Sequence, residues 1–238
     1  MPKDRGGQLL IRQLMRDWNN DTENAYAIEV LTEDSKSPNI LSQQAFDRRT
    51  VGMTQFIKSQ FLEWRNRIKN APVNQIEHGK ADRADGGFPT NFTSYGRYEL
   101  APGQALILEV PQIDIVYGNI QMSNLWAESL NYPTRTTSFN DFQAYSDEDG
   151  IIRYVIAMED PGVPNWLDAT GHPSGGLFMR WQSPQSEVPK PVSKLIDLSD
   201  LSDHLPDTHP KFSKNDRAAQ IKARHAGFLR RQNPVYFD

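Results

Sequence analysis

The residues most capable of chemistry lie in one short run, 159–181, which reads E-D-P-G-V-P-N-W-L-D-A-T-G-H-P-S-G-G-L-F-M-R-W. Two carboxylates, Asp160 and Asp168, and one imidazole, His172, fall within thirteen residues of each other, so they can divide general acid and base roles. Asn165 and Arg180 stand in the same run and can hold a polar substrate. Turn-forming residues carried on a rigid sheet often serve function. We therefore expect the catalytic part of a site here.

A second run, Y-G-N-I-Q-M-S-N-L-W at 117–126, adds amide and indole side chains. If the two runs lie on neighbouring strands, their amides can position a polar group and their indole rings can stack on a flat molecule or a sugar. The residues predicted to bind substrate are Gln121, Asn124, Trp126, Asn165, Trp166 and Arg180. The sequence thus predicts an enzyme-like protein that binds or transforms a small organic molecule by acid-base chemistry without a redox cofactor, of the lyase, isomerase or hydrolase type.

A structural interpretation explains much of the same pattern. Asp160 precedes Pro-Gly, and Asx side chains beside Pro and Gly commonly accept hydrogen bonds from turn amides. Asn165 and Asp168 can do likewise, and the Trp166 ring can fill the end of a sandwich. Arg180 sits in the apolar run L-F-M-R-W, where it either reaches solvent from an outer face or pairs inside with Asp160 or Asp168. The alternative function is a non-catalytic carbohydrate-binding or assembly module.

Several classes of site are excluded or lack support in the sequence. The chain has no Cys, which excludes thiolate nucleophiles and Cys-ligated metals, and it has no G-x-S-x-G, G-x-x-x-x-G-K or G-x-G-x-x-G motif. His204 and His209, with Asp203 and Asp207, offer nitrogen and oxygen ligands, but their spacing matches no standard metal site. We predict no metal and no cofactor.

Charge and hydropathy argue against two classes of partner, nucleic acids and membranes. The net charge of -4 argues against general nucleic-acid binding, which requires a basic surface. No run of eighteen apolar residues exists, and residues 1–7 show no signal-peptide core, so we expect a cytoplasmic protein without a membrane partner. A small-molecule ligand remains the main predicted partner.

The N-terminal half must supply a support for the site. Residues 8–18 have helical apolar spacing, although so short a run can also be a strand, and residues 26–30 alternate like a strand. Ser42 is a candidate cap for a long helix that ends before Pro72. Its apolar stripe is Phe46, Met53, Ile57, Phe61, Trp64 and Ile68. Its basic residues are interpreted as a solvated flank, with an anionic partner as the alternative.

The remainder of the chain is predicted to be mostly β-structure. Residues 71–93 resemble a long surface connection, and strands are predicted at 95–100, 104–110, 113–122, 136–145, 151–158 and 177–182. Residues 184–210 are predicted to wrap over the surface, and Ser213 with Asp216 should start a short C-terminal helix. The predicted class is α+β, an antiparallel β-sandwich or jelly-roll-like domain with a long N-terminal-half helix. The predicted parts are 1–93, 94–183 and 184–238.

Four segments resemble one bacterial family. They are Y-G-R-Y-E-L-A-P-G-Q-A-L-I-L-E (95–109), Y-G-N-I-Q-M-S-N-L-W-A-E-S-L-N-Y (117–132), S-F-N-D-F-Q (138–143) and D-G-I-I-R-Y-V-I-A-M-E-D-P-G-V-P-N-W-L-D-A-T-G-H (149–172). The family is known as domain of unknown function 1214, and the resemblance covers most of 8–190. It implies an antiparallel sandwich, often preceded by another β domain, and no settled chemistry. Asn131 and Ala169 depart from the family pattern, which has Asp and Thr there. The partner expected is a second copy, or a chain that supplies the N-terminal domain of longer relatives.

Overall fold

Two β-sheets packed face to face form the centre of the protein in a computed structural model, which describes residues 11–22, 24–29, 42–78, 80–81 and 90–232. The elements in chain order are α1 Gln43–Asn70, β1 Gln75–Ile76, β2 Lys80–Ala81, β3 Asn91–Glu99, β4 Gln104–Pro111, β5 Tyr117–Ser123, β6 Ser138–Asn140, β7 Ile151–Ala157, β8 Trp166–Asp168, β9 Ser174–Gln182, β10 Val192–Asp197, a 3-10 helix Leu198–His204, and α2 Lys214–Gln232. In the described part of the chain, neither α-helix is long and apolar enough to cross a membrane.

The strand order confirms the predicted α+β sandwich. The six-stranded sheet has the order β1-β3-β9-β5-β6, with β2 also paired to β3, and the four-stranded sheet has the order β10-β4-β7-β8. All pairs are antiparallel except β7 with β8, which run parallel. Because β9 lies between β3 and β5, residues distant in the sequence become neighbours on the six-stranded sheet.

The main core fills the space between the two sheets. Strand residues that point inward alternate with outward ones, as the two-residue period of a strand requires. The inward set includes Tyr98, Leu108, Ile120, Phe139 and Leu177, none more than 2% exposed. A smaller core covers the other face of the four-stranded sheet, where the 3-10 helix packs through Leu201. Both faces of that sheet are therefore covered.

Helix α1 begins at the predicted cap residue, but much of its predicted apolar stripe is exposed. The Ser42 Oγ accepts a hydrogen bond from the Ala45 N–H, and the helix ends at Asn70, just before Pro72. Ile68 is buried against the six-stranded sheet, where Gly176 leaves room for it. The stripe farther toward the N-terminus stays exposed: Phe46 55%, Met53 60%, Ile57 47% and Phe61 48%.

Helix α2 also begins as predicted. Ser213 and Asp216 form a reciprocal capping box, which supports the first turn. Its packing face includes a charged residue, because Arg224 is buried, whereas Ala218 is exposed. Arg224 donates hydrogen bonds to the carbonyl oxygens of Tyr132 and Ser138, so the cation is held by backbone.

The two N-terminal elements were predicted wrongly within the described residues. Residues 11–18 form no helix, because Asp17 and Asp21 accept hydrogen bonds from nearby backbone N–H groups and form local turns instead. Residues 24–29 form no strand, since no described strand pairs with them. Residues 8–10 and residue 30 lie outside the described part.

Several strand boundaries also moved. The connection 71–93 contains β1 and β2 and the start of β3, and the tail 184–210 adds β10 as an edge strand beside β4. Of the strand predicted at 136–145, only the three residues of β6 form a strand. The parallel strand β8 lies in the 159–181 run, between the strands predicted at 151–158 and 177–182. The division into 1–93, 94–183 and 184–238 stays a prediction.

Candidate functional site

The Asp160 carboxylate joins the 159–181 run to helix α2. Its Oδ1 accepts a hydrogen bond from the Gly162 N–H at 3.0 Å. Arg217 donates to both oxygens, from Nε to Oδ2 at 3.0 Å and from Nη2 to Oδ1 at 3.2 Å. Arg217 is buried and lies over the ring of Trp166, with 5.1 Å from the guanidinium carbon to the ring centroid. These contacts hold α2 against the sandwich.

Asn165 and Trp166 satisfy buried backbone groups. Asn165 is 1% exposed; its amide donates to the carbonyl oxygens of Tyr145 and Arg153, and its oxygen accepts from the Tyr145 N–H. The Trp166 indole donates to the Ala157 carbonyl oxygen at 3.0 Å. Both side chains are therefore engaged by the protein itself.

Asp168 and His172 stand at the start and end of the turn between β8 and β9. The Asp168 side chain is 5% exposed, pairs with Arg135 at 2.8 Å and accepts from the Thr170 N–H. Burial, together with the nearby Asp168 charge, raises the pKa of Tyr98. His172 is exposed, and its backbone N–H donates to the Ala169 carbonyl oxygen.

Asn124 and Trp126 lie in the turn that follows β5. The Asn124 oxygen accepts from the N–H groups of Trp126 and Glu128, so this amide also stabilises a turn. The Trp126 ring is 49% exposed and stacks under Arg65, 4.8 Å away.

Gln121 and Arg180 come together on the outer face of the six-stranded sheet. The strand register places Arg180 opposite Thr93 on one side and Asn119 on the other. Because side chains alternate along a strand, Asn119, Gln121 and Arg180 all face outward. Arg180 is exposed and makes no ion pair with the described residues, so the outer of its two predicted orientations is correct.

Three aromatic rings stand beside Arg180. Phe178 lies opposite Tyr95 and Gln121 in the register, and Trp64 of α1 packs over it. The ring centroids are 5.5 to 5.9 Å apart. Together with Gln121 and Arg180 the rings line a concavity of about 230 Å³, which we call the aromatic cavity.

A second concavity of about 310 Å³ adjoins the first and shares two of its residues, Asn119 and Gln121. We call it the polar cavity. It is enclosed by the outer face of β5 and β6, the N-terminal segment through Trp18, and α2 through Arg231. None of the described residues that line either cavity is Asp or Glu.

The comparisons with known proteins support the fold alone. No protein-family model matches the chain, and no curated protein matches it. The chain is similar to the crystal structure of an uncharacterized protein from Burkholderia cenocepacia, with 29% identity and a TM-score of 0.53 over 57% of this chain and 39% of that chain. A solved protein from Vibrio parahaemolyticus shows 18% identity and a TM-score of 0.37 over 48% of this chain and 33% of that one. The resemblance to domain of unknown function 1214 stays a prediction.

The structure does not bring the predicted site residues together in one pocket. Gln121 and Arg180 line the aromatic cavity, whereas Asp168 lies on the four-stranded sheet and Asp160 is held by Arg217. The sequence did contain a signal for the outer face, since Asn119 and Gln121 alternate on β5 as Phe178 and Arg180 do on β9. The order of the strands was needed to see that they meet.

A buried charge network near the tail was also missed. Arg153 pairs with Asp147, Asp149 and Glu109, and the His209 Nδ1 lies 2.7 Å from Asp147 Oδ1. His204, by contrast, contacts Lys194, so the two tail histidines point to different partners. Among the described residues, no group of three His, Asp or Glu side chains is placed to hold a metal ion.

Proposed function

We propose that the outer face of the six-stranded sheet binds a small organic molecule with a flat apolar part. The observation that supports this most is the aromatic cavity, where the rings of Trp64, Tyr95 and Phe178 stand beside the polar groups of Gln121 and Arg180. Ligand sites typically combine an apolar concave surface with a few convergent polar groups. The rings would cover the flat part, and the two polar side chains would orient it.

The polar groups at this face are available to a ligand. The side-chain amides of Asn119 and Gln121 make no hydrogen bond with the described residues, and Arg180 makes no ion pair with them. This contrasts with Asn165, whose amide is saturated by the backbone.

The proposal concerns binding and does not assign a reaction. Asp160 is held by Arg217, and Asp168 by Arg135 and the Thr170 N–H, so neither carboxylate is free to serve as a base in this arrangement. Acid-base chemistry at Asp160, Asp168 and His172 stays a prediction from the sequence.

Replacing Phe178 by Ala is expected to weaken binding of a neutral flat probe, 1-naphthol, by about tenfold, because both ring stacking and buried apolar area are lost. Binding is followed by titration calorimetry. Phe142→Ala serves as the matched control, since Phe142 is an exposed ring outside both cavities. Equal affinity of the Phe178 and Phe142 variants, both shown folded by unfolding curves, would place the probe elsewhere.

A second candidate function, assembly, is supported by the exposed stripe on α1. Phe46, Met53, Ile57 and Phe61 lie on one side of the helix and are each about half exposed. The same stripe continues into Trp64 and Ile68, which pack on the sheet. We propose that a second copy of the chain covers the free part, since two such helices side by side would bury each other's stripe.

The stripe predicts a dimer that one charge should break. Met53→Glu is expected to convert the dimer to monomer, because a carboxylate would be buried in an apolar interface. Val51→Glu is the matched control: Val51 is also exposed but lies about 200° around the helix from Met53. Light scattering after gel filtration measures the mass of each. A monomeric wild-type protein, or a dimer that survives Met53→Glu, would count against the proposal.

A further inference from the structure

Two arginines of helix α2 hold one tryptophan between them. The guanidinium carbons of Arg224 and Arg231 lie 5.1 and 4.0 Å from the ring centroid of Trp18. The residues are seven apart, so they fall on the same side of the helix. Gly227 lies between them, and a Cβ there would come within 2.9 Å of the Trp18 Cβ. A glycine at this position permits the close contact.

The positive charges of this pair have no carboxylate partner in the described part of the chain. Arg224 is 6% exposed, and its hydrogen bonds go to backbone carbonyls and a hydroxyl instead of a carboxylate. Burial, followed by the charge of Arg231, lowers the pKa of Arg224 to about 10, so the side chain is still a cation at neutral pH. Among the described residues neither arginine has an acidic partner.

Arg231 faces the polar cavity with unused hydrogen-bonding capacity. Its Nε is buried and has no hydrogen-bond partner among the residues that the structure describes, although a buried donor without an acceptor is costly. The same cavity is lined by the side chains of Asn119, Gln121 and Tyr117, and their polar atoms make no hydrogen bond with the described residues. A ligand that accepts hydrogen bonds and carries negative charge would satisfy both the donors and the charge.

Asp141 directly follows the cavity residue Asn140 in the chain but does not serve this purpose. Asp141, which follows β6, is paired with Arg16 and accepts a hydrogen bond from the Gly118 N–H. It lines a different concavity, at the end of the sandwich. Among the described residues that line the polar cavity, Arg231 is a cation and none is an acid, in a chain whose net charge is -4.

We propose that the polar cavity binds the carboxylate of an organic anion, with Arg231 as the anchoring residue and the indole of Trp18 against the body of the molecule. A planar guanidinium with free donors suits a carboxylate, which can accept two hydrogen bonds from it. Asn119 and Gln121 line both cavities, so a larger aromatic carboxylate can extend from Arg231 toward Phe178. In that extended form the inference rests on the proposed function, whereas the carboxylate site stands without it.

The other explanation for Arg231 is its position in the last turn of α2, where a cation stabilises the helix C-terminus. Arg230 shares that turn but is exposed, and it donates to the Asn19 carbonyl oxygen. A role at the helix end would therefore be common to both residues. Of these two arginines, Arg231 lines the polar cavity and Arg230 does not.

The test compares benzoate with benzamide, which have nearly the same shape and differ in charge. Both are small enough to occupy the polar cavity alone, so the result does not depend on the aromatic cavity. Titration calorimetry on the full chain should show benzoate binding about tenfold more tightly than benzamide, because both oxygens of the charged carboxylate can accept from the guanidinium, whereas the benzamide carbonyl is neutral and offers one oxygen. The preference should shrink as ionic strength rises.

Arg231→Gln should abolish the preference for benzoate, because it should weaken benzoate binding more than benzamide binding, and Arg230→Gln should leave the preference intact. Arg231→Lys should keep part of the preference, since the charge remains and the planar fork is lost. The NMR signal of the Arg231 Nε–H should also shift on addition of benzoate and not of benzamide. The inference is overturned if the wild-type protein binds benzoate no more tightly than benzamide, if it binds neither, or if the preference persists in Arg231→Gln.

Discussion

Replacing Arg153 by Met is expected to lower the free energy of unfolding by about 3 to 5 kcal/mol, as is typical when one member of a buried ion pair is removed. The Arg153 side chain is 9% exposed and contacts Asp147, Asp149 and Glu109 at 2.7 to 2.9 Å. Asp147 is 2% exposed, so without Arg153 its carboxylate stays buried with only His209 beside it.

Urea unfolding curves measure this loss, and Glu109→Gln supplies a matched control. Glu109 contacts the same guanidinium but is 37% exposed, so its removal should cost less than about 1 kcal/mol. The double variant Arg153→Met with Asp147→Leu should recover part of the stability, because the unpaired buried charge is then gone. Equal losses for Arg153→Met and Glu109→Gln would contradict the importance of Asp147.

The same network makes the free energy of unfolding depend on pH in the acid range, and the direction of this dependence follows from Asp149. The hydrogen bond from Arg153 holds the pKa of Asp149 below its ordinary value of 3.8. A carboxyl with a lowered folded-state pKa contributes stability above its unfolded-state pKa and loses it as pH falls through the folded-state value. The wild-type protein should therefore lose this contribution below about pH 4, and Arg153→Met should show a shallower acid dependence.

The helix starts could be predicted because their causes are local. Ser42 caps α1 by accepting a hydrogen bond from the N–H of the third residue after it, and Ser213 forms a capping box with Asp216. Both signals lie within one helical turn of the chain. Most of the longer strands between 91 and 182 were found for the same reason, since runs of β-branched and aromatic residues between turn signals are visible in a short window, whereas β8 and β10 were not predicted.

The role of the 159–181 run could not be predicted, because its partners lie far away in the sequence. Asp160 is held by Arg217, 57 residues later, and Asp168 by Arg135, 33 residues earlier. Residue type and spacing alone favour a reactive cluster as much as a set of structural contacts. The fold supplies the arginines that pair with both carboxylates, and catalysis by this run stays a prediction.

The packing face of α2 is hard to predict from apolar periodicity, because two of its buried residues, Arg217 and Arg224, are charged. Arg217, Arg224 and Arg231 recur every seven residues, a pattern that usually indicates a solvated stripe. Here each of the three lies over an aromatic ring contributed by another part of the chain. Aromatic partners allow long cationic side chains to pack where an apolar residue was expected.

Arg217→Met should have the other large effect, a loss of about 3 kcal/mol in the free energy of unfolding, because the helix would lose its bidentate contact with Asp160 and its bond to the Val163 carbonyl oxygen. Asp160→Asn keeps the turn bond to Gly162 and removes only the charge. Asp160 is 32% exposed, so this change should cost less, about 1 to 2 kcal/mol. Lys222→Met, an exposed position on the same helix, is the control and should cost little.

Hydrogen exchange shows whether the loss is confined to the helix. In Arg217→Met the amides of α2 should exchange faster while those of β4 and β7 stay protected, because the sheets have their own core. Detachment of α2 would also carry Arg231 and its contact with Trp18 away from the polar cavity, so benzoate binding should weaken in this variant. Faster exchange in β4 and β7 to the same extent would show that Arg217 supports the whole sandwich. Weaker benzoate binding with intact sheets would mean that the D-P-G-x-x-N-W-L-D run acts on the cavity at a distance, by holding in place the helix that supplies the arginine.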